Sequence, residues 1–251
     1  MTDASACLVK DGKLVNYVER ERFSPRWKHA RRYDPEKDRV ILLDPIPAIE
    51  WCLKDAGIKI DQVDFIVLSW QAKKEDMKRL YNLVPYEKEP DRIEWEKRCL
   101  EQHTPEALMA RLKQQLEEAG LTPVPTMACV PHHLAHAATA YTSGWEKCAI
   151  LTVDGHGDTT AIAGWVKRGG EITQVYWKPF WCSLGWFYTA VTEFLGMRMK
   201  HDETKVMNLA NYAEPSPLLE RKMRKIVKIV EDDVDVDASY LLYGPHKKST
   251  N

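Results

Sequence analysis

Two neighbouring segments constrain this chain more than any other: Val130-Pro-His-His-Leu-Ala-His-Ala137 and Ile150-Leu-Thr-Val-Asp-Gly-His-Gly-Asp158. Thr126 to Val130 reads as a strand. Pro131 then suits the first turn of a helix, where its missing N–H has no intrahelical partner to lose. The helix runs to about Tyr141, and Ser143-Gly144 closes it. Cys148 to Val153 is a second apolar strand. This order puts the histidines at the carboxyl edge of one strand and Asp154 at the carboxyl edge of the next. Open α/β sheets bind their ligands at that edge.

His132 and His136 lie four residues apart, so on a helix both imidazoles share one face and can reach a single ion. His133 and His136, three apart, could do the same. Asp154 adds a carboxylate, and imidazole with carboxylate suits a transition metal. Gly155 and Gly157 permit close backbone approach by a ligand and positive φ. Asp158 can orient a histidine from behind. A zinc set of Cys129, His132 and His136 is the weaker alternative, because Cys129 should point into the packing of its strand.

The rest of the chain reads as α/β. Ala4 to Val9 and Lys13 to Glu19 are strands joined at Asp11-Gly12, a hairpin signal. Phe23 to Pro45 is charged and aperiodic and predicts a long loop. Pro45 to Ala56 has a helical apolar period stopped by Gly57. Val63 to Ser69 is a continuous apolar run, as expected of a buried parallel strand. Residues 71–103 are polar and tryptophan-bearing, the pattern of an insertion. Thr104-Pro-Glu opens a helix that ends near Gly120. Thr159 to Lys167 and Glu171 to Trp177 form a hairpin. Ser183 caps an apolar helix through Leu195, a shorter helix covers Thr204 to Tyr212, and Pro215 to Val230 is amphipathic and basic. The aromatic cluster Trp177, Phe180, Trp181, Trp186, Phe187 and Tyr188 belongs to a core, or to a face that packs on a further domain.

Lys plus Arg number 36 against 37 Asp plus Glu, so no global charge argues for nucleic acid or a membrane surface. The six cysteines form no C-x-x-C pair, which suggests neither a disulfide framework nor a zinc ribbon. Cys148 and Cys182 sit in apolar surroundings typical of buried free thiols, and a reducing compartment fits them. No apolar run approaches the roughly 18 residues of a membrane span, and no signal-peptide pattern opens the chain. The expected location is cytoplasmic.

Four segments together resemble the O-carbamoyltransferases of the nodulation-factor and antibiotic-biosynthesis type. They are Asp3-Ala-Ser-Ala-Cys-Leu-Val-Lys-Asp-Gly-Lys-Leu-Val15 with Glu19-Arg-Glu-Arg-Phe-Ser24 and Lys28-His29; His132-His-Leu-Ala-His-Ala-Ala138; Val153-Asp-Gly-His-Gly-Asp158; and Leu184-Gly-Trp-Phe-Tyr188 with Asp202-Glu-Thr-Lys-Val-Met-Asn-Leu-Ala210. The resemblance implies an actin/Hsp70/sugar-kinase-like, that is ribonuclease H-like, α/β core with a mixed sheet. It implies a divalent metal, iron first with zinc or manganese as alternatives, held by His132, His136 and Asp154. It implies carbamoyl transfer from carbamoyl phosphate, through a carbamoyl adenylate made with ATP, to a hydroxyl of a small molecule or saccharide. Lys28 and Lys205 are then expected to grip phosphate or carbamoyl oxygens, Asp3 to accept the acceptor's proton, and Gly155, Gly157 and Asp158 to lie against substrate.

Family members run to roughly twice this length. Residues 1–251 are therefore expected to be the N-terminal part of the metal-binding domain, interrupted at about 71–103, without the C-terminal adenylate-forming domain. One alternative is a non-catalytic metal- or nucleotide-binding subunit completed by a separate polypeptide. Another is a metal-dependent hydrolase of unrelated fold.

Overall fold

The computed structural model describes residues 4–23, 32–34, 39–41, 44–83, 90–199 and 202–241. β1 (Ser5–Lys10) and β2 (Lys13–Glu19) form an antiparallel hairpin. Its turn has Asp11 at φ 51° and Gly12 at φ 73°, the two left-handed residues that a tight turn of right-twisted strands requires. β3 (Arg32–Asp34) pairs antiparallel with β4 (Arg39–Ile41), where the sequence predicts only loop. Strands of three residues are too short to show a period of two. α1 (Ile46–Ala56) ends at Gly57, whose φ of 67° lets its N–H return to the carbonyls of Leu53 and Lys54.

β5 (Phe65–Leu68) is followed by α2 (Lys74–Tyr81), α3 (Pro90–Gln102) and α4 (Pro105–Glu118). The Thr104 hydroxyl accepts from the Ala107 N–H at 3.3 Å, capping α4 as its sequence predicts. β6 (Thr126–Cys129) leads into α5 (His132–Ala138), which tightens into a 3-10 turn over Thr139–Ser143 and stops at left-handed Gly144. β7 (Lys147–Gly157), β8 (Thr160–Arg168) and β9 (Glu171–Pro179) make a three-stranded antiparallel meander. α6 (Leu184–Phe194), α7 (Glu203–Leu209), α8 (Pro217–Ile226) and the hairpin of β10 (Val227–Val230) and β11 (Asp233–Val236) complete the described chain.

The amphipathic stretch from Pro215 to Val230 is thus helical only to Ile226. Across a turn at Glu231, whose φ is 55°, β-branched Val227 and Ile229 pair with Val236 and Val234, with Lys228 and Asp235 between them. That alternation favours a pleated hairpin over continued helix.

The chain divides into two compact units, Met1–Leu68 with Leu108–Ala128 and Ser69–Ala107 with Cys129–Asn251. In the first, Ile46, Leu112 and Leu116 form a core, with Ile49, Ile66, Leu68, Leu121, Val124 and Met127 packed against it. Buried Asn16 ties β2 to α1 by donating to the Cys52 carbonyl at 3.0 Å and to Asp55 Oδ2 at 2.9 Å. β5 is not buried on both faces: Ile66 and Leu68 turn inward, while Phe65 and Val67 are 64% and 57% exposed. An apolar run is compatible with either situation, since it carries no period.

In the second unit α5 lies on one face of the meander. Leu134 and Ala137 of α5 pack with Ile150, Ala163, Trp165 and Ile172. A second core joins Trp186 and Ala190 of α6 to Val236, Ala238 and Leu241, flanked by Trp181 and Phe187. Phe180 and Trp186 are buried, so much of the aromatic cluster is core. The architecture is mixed α/β with several small sheets. Among the described residues no helix is long and apolar enough to cross a membrane.

Candidate metal centre

α5 has three jobs on three faces. Leu134 and Ala137 face the sheet. His133 is buried: its ring nitrogens meet Thr152 Oγ1 at 2.8 Å and the Thr160 carbonyl at 3.0 Å. Burial holds the His133 pKa below its ordinary value, so it is neutral, donating through Nε2 to the carbonyl. That takes the His133–His136 pair out of contention. His132 and His136, one turn apart, present their Nε2 atoms together, 2.9 Å from each other.

Asp154 sits where β7 departs from regular pairing, since the register with β8 slips between Val153 and Gly157. Its Oδ2 is 3.0 Å from His132 Nε2 and 3.5 Å from His136 Nε2. Its Oδ1 accepts from the Gly155 N–H at 2.6 Å. Ligand atoms about 2.0–2.2 Å from a first-row ion stand roughly 3.0–3.5 Å from one another. The three donors of this chain have that spacing, and they are the His/Cys/Asp/Glu group among the described residues whose atoms converge in this way. The set fits a divalent transition metal and leaves further coordination positions open. Cys129 is not a member, so the zinc alternative is not what the fold assembles.

The electrostatics follow from the geometry. Burial works against a charge on His132, but the bonds with Asp154 and the Ser69 carbonyl, and the charges of Asp154 and Asp158, outweigh it and raise its pKa. The His132 bond, opposed by burial and aided by the Gly155 N–H, holds the Asp154 carboxyl well below the usual carboxylate range. Both shifts favour the ion-paired form of the metal-free pair, and a metal would replace the Nε2 proton.

The residues around the donors fix them. His132 Nδ1 donates to the Ser69 carbonyl at 2.9 Å. Trp70 stands edge-on to the rings of His132 and His156, with centroids 5.9 and 6.2 Å away. Trp186 Nε1 donates to His156 Nδ1 at 3.1 Å, which leaves the His156 proton on Nε2. Buried Ser183 accepts from the Trp186 N–H at 2.9 Å and donates to the Asp154 carbonyl at 3.0 Å. Gly185 brings α6 onto this backbone: a Cβ there would lie 2.7 Å from the Gly155 nitrogen.

Three sequence expectations need correction. Neither Gly155 nor Gly157 has positive φ; the left-handed residue of the turn is Asp158, at φ 55°. On the side where a Cβ would project, the space at Gly157 is filled by the His132 ring. The Asp158 carboxylate is occupied by backbone, accepting from the N–H groups of Gln71 (2.6 Å), Ala72 (2.9 Å) and His132 (2.7 Å). Lys205 is engaged by Asp202, with Nζ 2.9 Å from Oδ1, and Arg198 holds the other side of the same buried carboxylate. Asp3 and Lys28 lie outside the described residues. Sequence reasoning missed Ser69 and Trp70. A carbonyl acceptor has no residue signature, and nothing local in the sequence places Trp70 against a histidine of α5.

A strand-borne carboxylate and two histidines of one helix turn make a candidate metal centre in a mixed α/β chain. Residues 1–244 match the family described as carbamoyltransferase N-terminus, and the chain belongs to that family. It is 31% identical over 219 residues to the uncharacterized protein sll1178 of Synechocystis sp., covering 85% of this chain and 33% of that protein. It is 32% identical over 219 residues to the nodulation protein NolNO of Sinorhizobium fredii, covering 86% and 28%. Over 85 residues it is 40% identical to the nodulation protein NolO of Bradyrhizobium diazoefficiens, covering 34% and 15%. The chain spans about a third or less of the length of these relatives, which are therefore longer than the roughly twofold length the resemblance implies.

Proposed function

We propose that this chain carries the metal-binding part of an O-carbamoyltransferase, built on an actin/Hsp70/sugar-kinase-like core. The reaction moves a carbamoyl group from carbamoyl phosphate, through a carbamoyl adenylate made with ATP, to a hydroxyl of a small molecule or saccharide. In the transfer step the bond from the carbamoyl carbon to the adenylate phosphate oxygen breaks. A new C–O bond forms to the acceptor, AMP leaves, and the hydroxyl proton passes to a base.

The observation that carries the reading is the convergence of His132 Nε2, His136 Nε2 and Asp154 Oδ2, in a chain of this family. His132, His136 and Asp154 would hold a divalent metal, iron first and zinc or manganese next. Bound there, the metal would supply Lewis-acid stabilisation of charge developing at the carbamoyl oxygen. Trp70 and the Trp186–His156 pair wall the same region with apolar rings. Asp3 is the proposed base. Lys28 and Lys205 are the proposed cations for phosphate or carbamoyl oxygens; Lys205 would act while its other side is held by Asp202.

Metal analysis of the purified chain, with titration by Co2+ followed by visible absorbance, tests the site. One tightly held ion is expected, lost in His132→Ala and Asp154→Asn. A wild-type chain that takes up no metal would defeat the reading.

A further inference from the structure

α5 begins with a problem that its own sequence does not solve. Its N-cap is Pro131, which has no side-chain acceptor, and the helix has seven residues. A strong local cap would be Ser, Thr, Asp or Asn. Here the acceptor comes from the turn after β7: Asp158 Oδ2 takes the His132 N–H at 2.7 Å across 26 residues. Its Oδ1 takes the N–H groups of Gln71 at 2.6 Å and Ala72 at 2.9 Å. The left-handed backbone of Asp158 makes this possible, since it turns the carboxylate back toward both segments.

The segment that Asp158 grips touches the candidate centre from the far side. The Ser69 carbonyl accepts the His132 Nδ1 proton at 2.9 Å. The Trp70 ring stands edge-on to His132. Gln71 adds a bond from Nε2 to the Cys129 carbonyl at 3.1 Å, just ahead of α5. A carbonyl can only accept, so it keeps a proton on Nδ1 and leaves Nε2 as the atom that faces Asp154 and His136.

We propose that Asp158 is a positioning residue: by clamping Gln71, Ala72 and the start of α5 with one carboxylate, it sets the Ser69 carbonyl against His132 and so fixes which imidazole nitrogen is offered to a metal. Removal of outer-shell partners of this kind weakens metal binding by about 10- to 100-fold. The inference deepens the metal-site reading and rests on it for its purpose, though not for its geometry.

The test uses Asp158→Asn, which keeps the shape but turns a donor toward one of the three N–H groups. Two readouts are taken on folded protein. Co2+ titration is expected to show a Kd raised about 10- to 100-fold with an altered visible spectrum, against complete loss in His132→Ala. Long-range 1H–15N spectra of metal-free protein, taken at a pH high enough for a neutral His132 ring, are expected to show the single ring proton on Nδ1 in the wild type and a mixed ring pattern in the variant. An unchanged Kd with an unchanged ring pattern overturns the proposal. A ring pattern that responds in a protein that takes up no Co2+ upholds the Asp158 link and defeats the metal reading alone. Should Asp158→Asn fail to fold, amide hydrogen exchange in the wild type decides. Gln71, Ala72 and His132 are expected to be protected together, and fast exchange at the first two overturns the clamp.

Discussion

Gly157 lies directly beneath the His132 imidazole: a Cβ at position 157 would fall inside van der Waals contact with Cδ2, Cγ and Cβ of the histidine. The two residues are 25 positions apart in sequence, and the absence of a side chain at one sets the ring position of the other. Gly157→Ala is expected to push His132 off the site or open β7 from α5. Overpacking of this kind costs about 1–3 kcal/mol. Co2+ affinity should fall together with the urea midpoint, whereas Gly155→Ala, whose Cβ would meet only Trp186 atoms at 3.8 Å and beyond, should change both less.

The pH dependence of the free and metal-loaded chains should run in opposite directions. His132 has a raised pKa in the fold. Its contribution to metal-free stability is present below its unfolded value of about 6.5 and is lost as pH rises through the raised folded value. Asp154 has a lowered pKa. Its contribution is present above about 3.9 and is lost as pH falls. The ion pair therefore supports the free chain most between about pH 4 and 6.5. Metal binding needs Nε2 unprotonated, so the rise in Tm on adding Co2+ should grow from pH 5.5 to 8.5. A rise that shrinks over that range would contradict the arrangement.

Ser183 links the N-terminus of α6 to the backbone of Asp154 through two hydrogen bonds of one fully buried hydroxyl. Ser183→Ala removes a cap and leaves the Trp186 N–H without that acceptor. A loss of about 1–2 kcal/mol in urea unfolding is expected. Metal affinity should fall as well, because the same hydroxyl anchors the ligand's own carbonyl. Unchanged affinity alongside lost stability would limit Ser183 to capping.

Cys182 should be chemically silent in the native chain. Burial, with the neighbouring Asp235 adding to it, pushes its thiol up to about 11. Relative to an ordinary thiol, that lowers the thiolate fraction at neutral pH by roughly 100-fold. Cys7 is exposed. Alkylation with mass-spectrometric mapping is expected to label Cys7 promptly and Cys182 only on denaturation.

The shared face of His132 and His136 was legible because it is a short-range pattern. An i, i+4 histidine pair needs only a helix, whereas Asp154 comes from β7, a strand of a different sheet from β6, so its arrival beside the histidines is a tertiary matter. Hairpin and cap residues such as Asp11-Gly12, Gly57, Thr104 and Ser183 were legible for the same reason, since each acts on the backbone within a few residues. The exposed alternation of β5, the end of α8 at Ile226 and the β3–β4 pair were not, because burial and strand pairing depend on what the rest of the chain brings alongside.

The sequence by itself marked which side chains could bind a metal and set His132 and His136 on one helix face; tertiary structure brought Asp154 to them. Tertiary structure decided which histidine of the three turns inward, which nitrogen His132 presents, and that Asp158 serves the backbone rather than a ligand. The physical reason is range. A helical repeat is set by local bonding, whereas the partner of a ring nitrogen or a carboxylate is whichever polar group the fold carries within about 3 Å of it.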